Sequence, residues 1–395
     1  MSLLNRRQQI AIKTEATEGT METALVAADA GFNVFESSFS PDIQQFERSP
    51  FRSSIGSLAS IAGMRQASLS FTTELIGSNV VETAPPFGTI LKMCGFREFS
   101  GLKTIDIGTV TVASFVPGEV LNGNGGTPGV GVCVKSVADG ETMYLTESVA
   151  FANGEEITGA TSGAVATTGG TSALTGGQGV YYRPSSEFND SGEDDYLSSA
   201  TVWVYNDGLL HKLNGCRGNF TLKAEVGQPM MMDIELTGGL NITTDATMLT
   251  GITYPTITPP TFMGTNILSV HGSNAVFVNS LEMTSGNDLQ YRSDPNTSAG
   301  LISSKIVGRA AGGSMDPEGN TIAGGIDWFN SLYDNTEGVL DLTIGSAPKN
   351  KFLISANKAQ FSSVGGGERS GLTTNQVELS FNETNGNDEL VILAL

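Results

Sequence analysis

Apolar and polar positions alternate along much of the chain, a period that predicts strands. Phe220, Leu222, Ala224 and Val226 share one face of an extended segment, and Met230, Met232, Ile234 and Leu236 share one face of the next. Lys223, Glu225, Asp233 and Glu235 take the opposite side, so one face is expected to be buried and the other wet. Val202 to Tyr205 and Leu210 to Leu213 flank Asn206-Asp207-Gly208, and Asp-Gly between apolar strands predicts a tight hairpin because glycine tolerates positive φ. Further strands are expected at Val339 to Ile344, at Phe352 to Ile354, through Val377, Leu379 and Phe381, and at Leu390 to Leu395.

Two segments break the alternation. After Pro85-Pro86, the residues Phe87, Ile90, Leu91 and Cys94 recur at helical spacing and stop at Gly95, which predicts a short amphipathic helix. Trp328, Phe329, Leu332 and Tyr333, ahead of Gly338, predict a second. The fold class expected is mainly β, with two isolated helices.

The chain also repeats itself. Arg48, Ser49, Arg65 and Glu74 recur as Arg292, Ser293, Arg309 and Glu318, every one displaced by 244 positions. Around them Phe46-Glu47-Arg48-Ser49-Pro50 echoes Tyr291-Arg292-Ser293-Asp294-Pro295, so each copy leads from a polar loop into a strand. The copies differ mainly at residues 103 to 178, which lie in the first copy alone and read as an inserted surface β module. The insertion holds its own echo, Phe115-Val116-Pro117-Gly118-Glu119 and Phe151-Ala152-Asn153-Gly154-Glu155, and ends in a flexible stretch from Thr167 to Gly179.

At 395 residues the chain has room for two or three domains. Its 49 glycines, with many Ser, Thr and Asn, favour short strands joined by turns. The formal net charge of −20 argues against a nucleic-acid grip, since phosphate binding needs concentrated Lys and Arg. Cys94, Cys133 and Cys216 lie far apart with no CxxC pair, and are expected to be buried thiols of a reducing cytoplasm. No apolar run approaches the roughly 20 residues that cross a bilayer; a soluble chain without a targeting signal is expected.

Candidate chemistry is sparse. His211 and His271 are the two histidines, too few for a triad or a metal cluster, and both are expected to be structural. Gly123-Asn124-Gly125-Gly126 opens no helix and lacks the Lys-Ser/Thr of a phosphate loop. Asp190, Glu193, Asp194 and Asp195 offer oxygen ligands without the alternate spacing of a calcium loop. Nothing selects a catalytic carboxylate pair, and Trp203 and Trp328 are the sole tryptophans available for sugar stacking. The expectation is a structural protein, not an enzyme, with no cofactor and no metal.

The chain resembles the tail tube (major tail) proteins of bacteriophages with long non-contractile tails, in the subgroup carrying two tube folds. The resemblance rests on Lys13-Thr14-Glu15-Ala16-Thr17-Glu18-Gly19-Thr20, on Gln66 to Gly77, on Ala84-Pro85-Pro86-Phe87-Gly88-Thr89-Ile90-Leu91, on Tyr182-Arg183-Pro184, on Asp207 to Leu213 and on Gly386-Asn387-Asp388-Glu389-Leu390. It implies β-sandwich folds, each flanked by one helix: an arm at 1–30, a first tube fold at 31–102 and 179–250, the inserted β domain at 103–178, and a second tube fold at 251–395. Phe87, Ile90, Leu91, Trp328, Phe329 and Leu332 would define the helices. With two folds per chain, three chains would close a pseudo-hexameric ring, and rings would stack head to tail around an acidic channel for double-stranded DNA, which passes without specific binding.

The arm and the loops at Gln44 to Ser60 and Leu289 to Ser304 supply the stacking candidates Arg6, Arg7, Phe46, Arg48, Phe51, Arg52, Tyr291 and Arg292. The resemblance further implies tail terminator, distal tail and tape-measure proteins as partners, and a virion tail assembled in the host cytoplasm. Three alternatives stay open from the residues alone: a β-rich adhesin whose insertion carries the ligand site, a β-fold hydrolase of surface polysaccharide, and a tail terminator or decoration protein.

Overall fold

The computed structural model describes residues 4, 6–53, 56–80, 82–111, 114–135, 142–170, 179–186, 198–264, 268–274, 276–321 and 325–395. The cluster Asp190, Glu193, Asp194 and Asp195 lies outside them, as does most of the stretch from Thr167 to Gly179. The chain is mainly β, 54% strand against 5% helix, as the alternating pattern predicts.

The first strands are β1 (Gln8–Thr14), β2 (Ser37–Arg48) and β3 (Leu58–Glu74), followed by helix α1 (Gly88–Met93) and β4 (Phe96–Asp106). The insertion carries β5 (Val120–Gly123), β6 (Val130–Cys133), β7 (Thr142–Val149), β8 (Glu156–Gly159) and β9 (Val165–Thr167). Next come β10 (Gly179–Pro184), β11 (Ala200–Asn206), β12 (Leu209–Glu225), β13 (Met231–Leu240) and the two-residue β14 (Thr244–Asp245). The remainder holds β15 (Leu268–Val270), β16 (Val278–Thr284), β17 (Asn287–Ser293), β18 (Leu301–Arg309) and β19 (Gly312–Pro317). Helix α2 (Trp328–Tyr333), β20 (Glu337–Ile344), β21 (Phe352–Arg369), β22 (Leu372–Phe381) and β23 (Val391–Ala394) follow.

One antiparallel sheet runs through both halves of the chain in the order β2, β3, β13, β12, β16, β19, β22, β21. Its inner face is apolar and buried, with Leu69, Phe71, Ile234, Phe220, Leu222, Leu281, Met283, Met315, Val377 and Phe361 all in one core. The 244-residue displacement reappears as strand register: Ser37 pairs with Phe71 and Phe39 with Leu69, while Leu281 pairs with Met315 and Met283 with Gly313.

A second layer covers that core. Over the first half lie β1, β11 and the start of β12, and over the second lie β15, β20, the start of β21 and β23. Their inward residues Ile10, Val202, Val204, Val270, Leu340, Ile354 and Ile392 belong to the same core, so the two layers form a β-sandwich. Strand β12 serves both layers and changes register between Asn214 and Arg217. Gly215 makes that change, with φ of 60° and Ile302 O only 2.4 Å from where a Cβ would stand.

The Asp207-Gly208 hairpin forms between β11 and β12, with φ of 43° and 112° at its two central residues. Helix α1 also follows the sequence pattern: Phe87, Ile90, Leu91, Met93 and Cys94 are buried, and Gly95 ends the helix at φ 83°. Helix α2 is capped by Asp327, whose carboxylate accepts the Asn330 N–H at 3.1 Å. Its burial departs from the apolar pattern. Trp328 is buried against Phe361 and donates its Nε1–H to Asn320, and Leu332 is half-buried, but Phe329 and Tyr333 are exposed.

Strands β4 and β10, which flank the insertion, pair with each other, and β10 pairs with β23. Beyond β4 the sheet continues through β7 into the insertion, which has its own core of Ile105, Phe115, Leu121, Met143, Leu145, Phe151 and Ile157. The echo found there is a structural one. Glu119 accepts N–H bonds from Val116, Thr161 and Ser162, and Glu155 accepts them from Ala152, Gly125 and Gly129. The module is tied to the body by the Lys135–Asp341 ion pair at 2.9 Å and by Asn385, which donates to Pro117 O at 2.7 Å.

Candidate functional site

Because inward positions of the eight-stranded sheet are apolar, the strand period sends every second side chain to its outer face. That face is acidic and hydroxyl-rich. Glu74, Glu225, Asp233, Glu235, Glu282, Asp316 and Glu378 stand on it among Ser68, Ser70, Thr72, Thr221 and Ser314, against the cations Lys223 and Arg369. Lys223 lies 2.8 Å from Asp233 and 4.0 Å from Glu282, and its bond to Asp233 raises its pKa. Partial burial works against the Asp233 charge, yet the Lys223 and Thr72 hydrogen bonds hold its carboxyl below the usual range. Arg369 bridges Asp316 at 2.8 Å and Glu318 at 2.9 Å. Both cations are thus engaged by carboxylates, and the remaining charge of the face is negative.

The sheet ends on two edges, β2 and the second half of β21. Among the described residues β2 pairs with β3 alone, and β21 from Phe361 to Arg369 pairs with β22 alone. Each edge therefore leaves a row of backbone N–H and C=O groups facing outward.

Strands β2 and β3 also extend past the body as a long hairpin. From Pro41 to Arg52 every residue is exposed, and Ile43, Phe46, Phe51 and Ile61 put apolar side chains into solvent there. Arg65 anchors its base, its N–H bonding to Ala299 O at 2.9 Å and its guanidinium to Ser298 O. The counterpart hairpin, β17 and β18, instead lies against the body. There Arg217, fully buried, donates to Ser304 O and to Glu18 at 3.1 Å. Burial opposes the Glu18 charge, but bonds from Ser303 and Arg217 and the nearby cations Arg217 and Lys305 bring its pKa below the ordinary value. The arm is docked through this carboxylate.

The residues singled out by the sequence fall into separate places. Phe46, Arg48, Phe51 and Arg52 share the projecting hairpin, and all are exposed. Tyr291 and Arg292 sit on β17, where Arg292 lies 3.5 Å from Glu18 of its own chain. Arg6 is exposed in the arm, and Arg7 pairs with Asp207 at 2.6 Å. The edges and Arg217 were not singled out. A clue to the edges lay in the repeat, whose conserved 244-residue register carries a strand seam in one place and a bare strand in the other.

The chain thus presents an acidic sheet with two open edges and a projecting hairpin. The family of phage tail tube proteins matches residues 5–382. The chain belongs to that family. It is therefore a structural subunit of a bacteriophage tail tube, a component of the virion tail that self-assembles. No curated protein matches the chain significantly.

Side chains with catalytic potential are held in structural roles in this tube subunit. His211 stacks on Phe39 and meets Thr243 Oγ1 at 3.0 Å; His271 stacks on Phe361 and meets Ala359 O at 2.9 Å. Burial lowers both pKa values, which keeps the rings neutral near pH 7. Cys94, Cys133 and Cys216 are all buried, and desolvation pushes their thiols up, away from the reactive thiolate. Among the described residues no group of three or more His, Cys, Asp or Glu could hold a metal ion, and no helix is long and apolar enough to cross a membrane.

Proposed function

We propose that three copies of this chain close into a pseudo-hexameric ring, that rings stack head to tail into the tail tube, and that the acidic face of the eight-stranded sheet lines the channel through which genome DNA passes at ejection. The observation that carries this reading is the sheet: eight strands cross both halves without a break, wet and acidic on one side and open at both edges. Closing such a sheet around a ring removes the bare edges. Twenty-four strands spaced ~4.8 Å apart and tilted ~40° form a barrel of roughly 48 Å backbone diameter, leaving a lumen wide enough for a hydrated duplex. Carboxylates along that lumen would repel phosphates and let DNA slide, where Lys and Arg would hold it.

In this reading the chain comprises the arm (1–30), a first tube fold (31–102 and 179–250), the outer insertion (103–178) and a second tube fold (251–395). The β2–β3 hairpin, with Phe46, Arg48, Phe51 and Arg52, and the arm with Arg6 and Arg7 would bridge to the next ring, alongside Tyr291 and Arg292. Stacking is heterologous and so open-ended, limited in a virion by a tape-measure protein and closed by terminator and distal tail proteins. Assembly would take place in the host cytoplasm.

Electron microscopy of the purified chain, with its mass in solution, tests the proposal. Rings of three 41.3 kDa chains, or tubes built from them, are expected. A monodisperse monomer at high concentration, or rings of six chains, would overturn it.

A further inference from the structure

The two open edges of the sheet can be assigned a specific register, because the chain already contains one copy of the joint. Strand β12 meets β16 in five antiparallel pairs, from Thr221 opposite Thr284 to Glu225 opposite Ser280, and this seam joins the two halves. Ser285 N donates to Phe220 O at 3.1 Å and Val226 N to Asn279 O at 2.9 Å, one at each end. Hydrogen-bonded pairs alternate with non-bonded ones in an antiparallel ladder. Lys223 and Glu282 therefore face each other in a non-bonded pair, as do Thr221 and Thr284.

Each side of the seam has a counterpart that lacks a mate among the described residues. On one side Lys223 pairs with Met231 and Met231 with Glu74; in the second half Gly367 pairs with Thr374 and Thr374 with Glu318. Glu74 and Glu318 are themselves 244 positions apart, so Gly367 occupies the place of Lys223. On the other side the same displacement puts Ser38 at the place of Glu282.

We propose that β21 of one copy pairs antiparallel with β2 of the next, with Gly367 opposite Ser38, Gly366 opposite Phe39, Gly365 opposite Ser40 and Arg369 opposite Glu36. The occupant of each edge is a second copy of this chain, and the inference rests on the ring reading above. Four observations on the edges agree with it. Gly365 and Gly366 carry no side chain to obstruct a strand laid beside them, and a Cβ introduced at either would meet nothing closer than 3.9 Å. The inward positions match, Phe39 packing on the core and Gly366 lying on the same side. Arg369, which bridges Asp316 and Glu318 within its own chain, carries the charge opposite to that of the exposed Glu36. The ladder also has a natural stop: the place of Ser285, whose N–H bonds across the seam, is taken by Pro41, which has no N–H to give.

Paired cysteines test the register. Gly365 and Ser40 correspond to the non-bonded pair Thr221 and Thr284, whose Cα atoms stand only ~4.5 Å apart in such ladders. The double variant G365C/S40C is expected to give covalent dimers and trimers on mild oxidation of assembled rings, with either single variant giving none. The native thiols are buried and should not interfere. The double variant G365C/D42C, a two-residue slip on the same face, should cross-link at least about tenfold more slowly, since diagonal neighbours are farther apart. Faster linkage through D42C, or rings of normal diameter without linkage through S40C, would overturn the register while leaving the ring intact. Absence of rings from the unaltered chain would instead remove the ring reading and this inference with it. Should the cysteine variants not fold, hydrogen exchange on the unaltered chain decides. Assembly should slow the amides of Ser37, Phe39, Gly366 and Glu368 by at least about tenfold, and unchanged exchange there would overturn the pairing.

Discussion

At the residue scale, the insertion is organised by two buried carboxylates at matching places in its internal echo. Glu155 is 4% exposed and satisfies three backbone N–H groups, while Glu119 performs the same task for the opposite loop. Burial opposes the charge of Glu155, but the N–H groups of Ala152, Gly129 and Gly125 outweigh it and hold the pKa below the ordinary value. A carboxyl depressed in the folded state stabilises fully above its unfolded pKa, about 4.3, and loses that contribution as pH falls through the folded value. The insertion should therefore loosen below about pH 4.3. Glu155→Gln should destabilise it by about 2 kcal/mol at pH 7, and should flatten the pH dependence of its melting measured by calorimetry. An unchanged acid profile in the variant would show that Glu155 does not set it. The echo is readable in the sequence, but the task of its glutamates is not. Nothing local distinguishes Glu155 from a solvated loop acid until the facing loop folds over it.

At the element scale, the β2–β3 hairpin sets the two halves apart as the insertion does. It projects, whereas its repeat counterpart is pinned to the body by Arg217 and Glu18. Phe51 is fully exposed among the described residues, so a polar replacement removes little burial energy within one chain. F46S/F51S should leave the melting temperature of the isolated chain within about 2 °C, yet shorten or abolish tubes in micrographs. Tubes of normal length and thermal resistance would exclude the hairpin from stacking.

Elements with local causes were the legible ones. The Asp207-Gly208 hairpin and α1 form where turn chemistry and helical spacing put them. Helix α2 was half legible: Trp328 finds Phe361 and Asn320, while Phe329 and Tyr333 stay exposed among the described residues. The β21 edge left no local trace, since Gly365-Gly366-Gly367 reads as a turn until the strand beside it is known.

At the scale of the whole molecule, charge is distributed by the sheet. A net charge of −20 is a bulk number, but the strand period gathers much of it onto one continuous face. Reversing two of those groups, E235K/E378K, should allow tubes to form and make them retain double-stranded DNA. Co-sedimentation should fall at least about tenfold between about 50 mM and about 200 mM salt, as counterion release requires. Basic tubes that retain no more DNA than unaltered ones would move the channel to another face. The acidic surplus was visible in the composition; its address was not, because it depends on pairings between residues as distant as Thr72 and Asp233.

The pairing of β10 with β23 has a consequence in time. Val180 faces Ala394 and Tyr182 faces Ile392, so a strand made early must wait while some two hundred further residues are translated before its neighbour exists. Throughout that interval β4 is the one described strand beside β10, and the insertion hangs from a sheet still waiting for β23 at its other border. A ribosome stalled shortly before Val391 would therefore hold a chain with a finished insertion core and an unclosed outer layer over the second half of the sheet. The order of synthesis and the order of neighbours are opposed here, and β23 acts as the clasp.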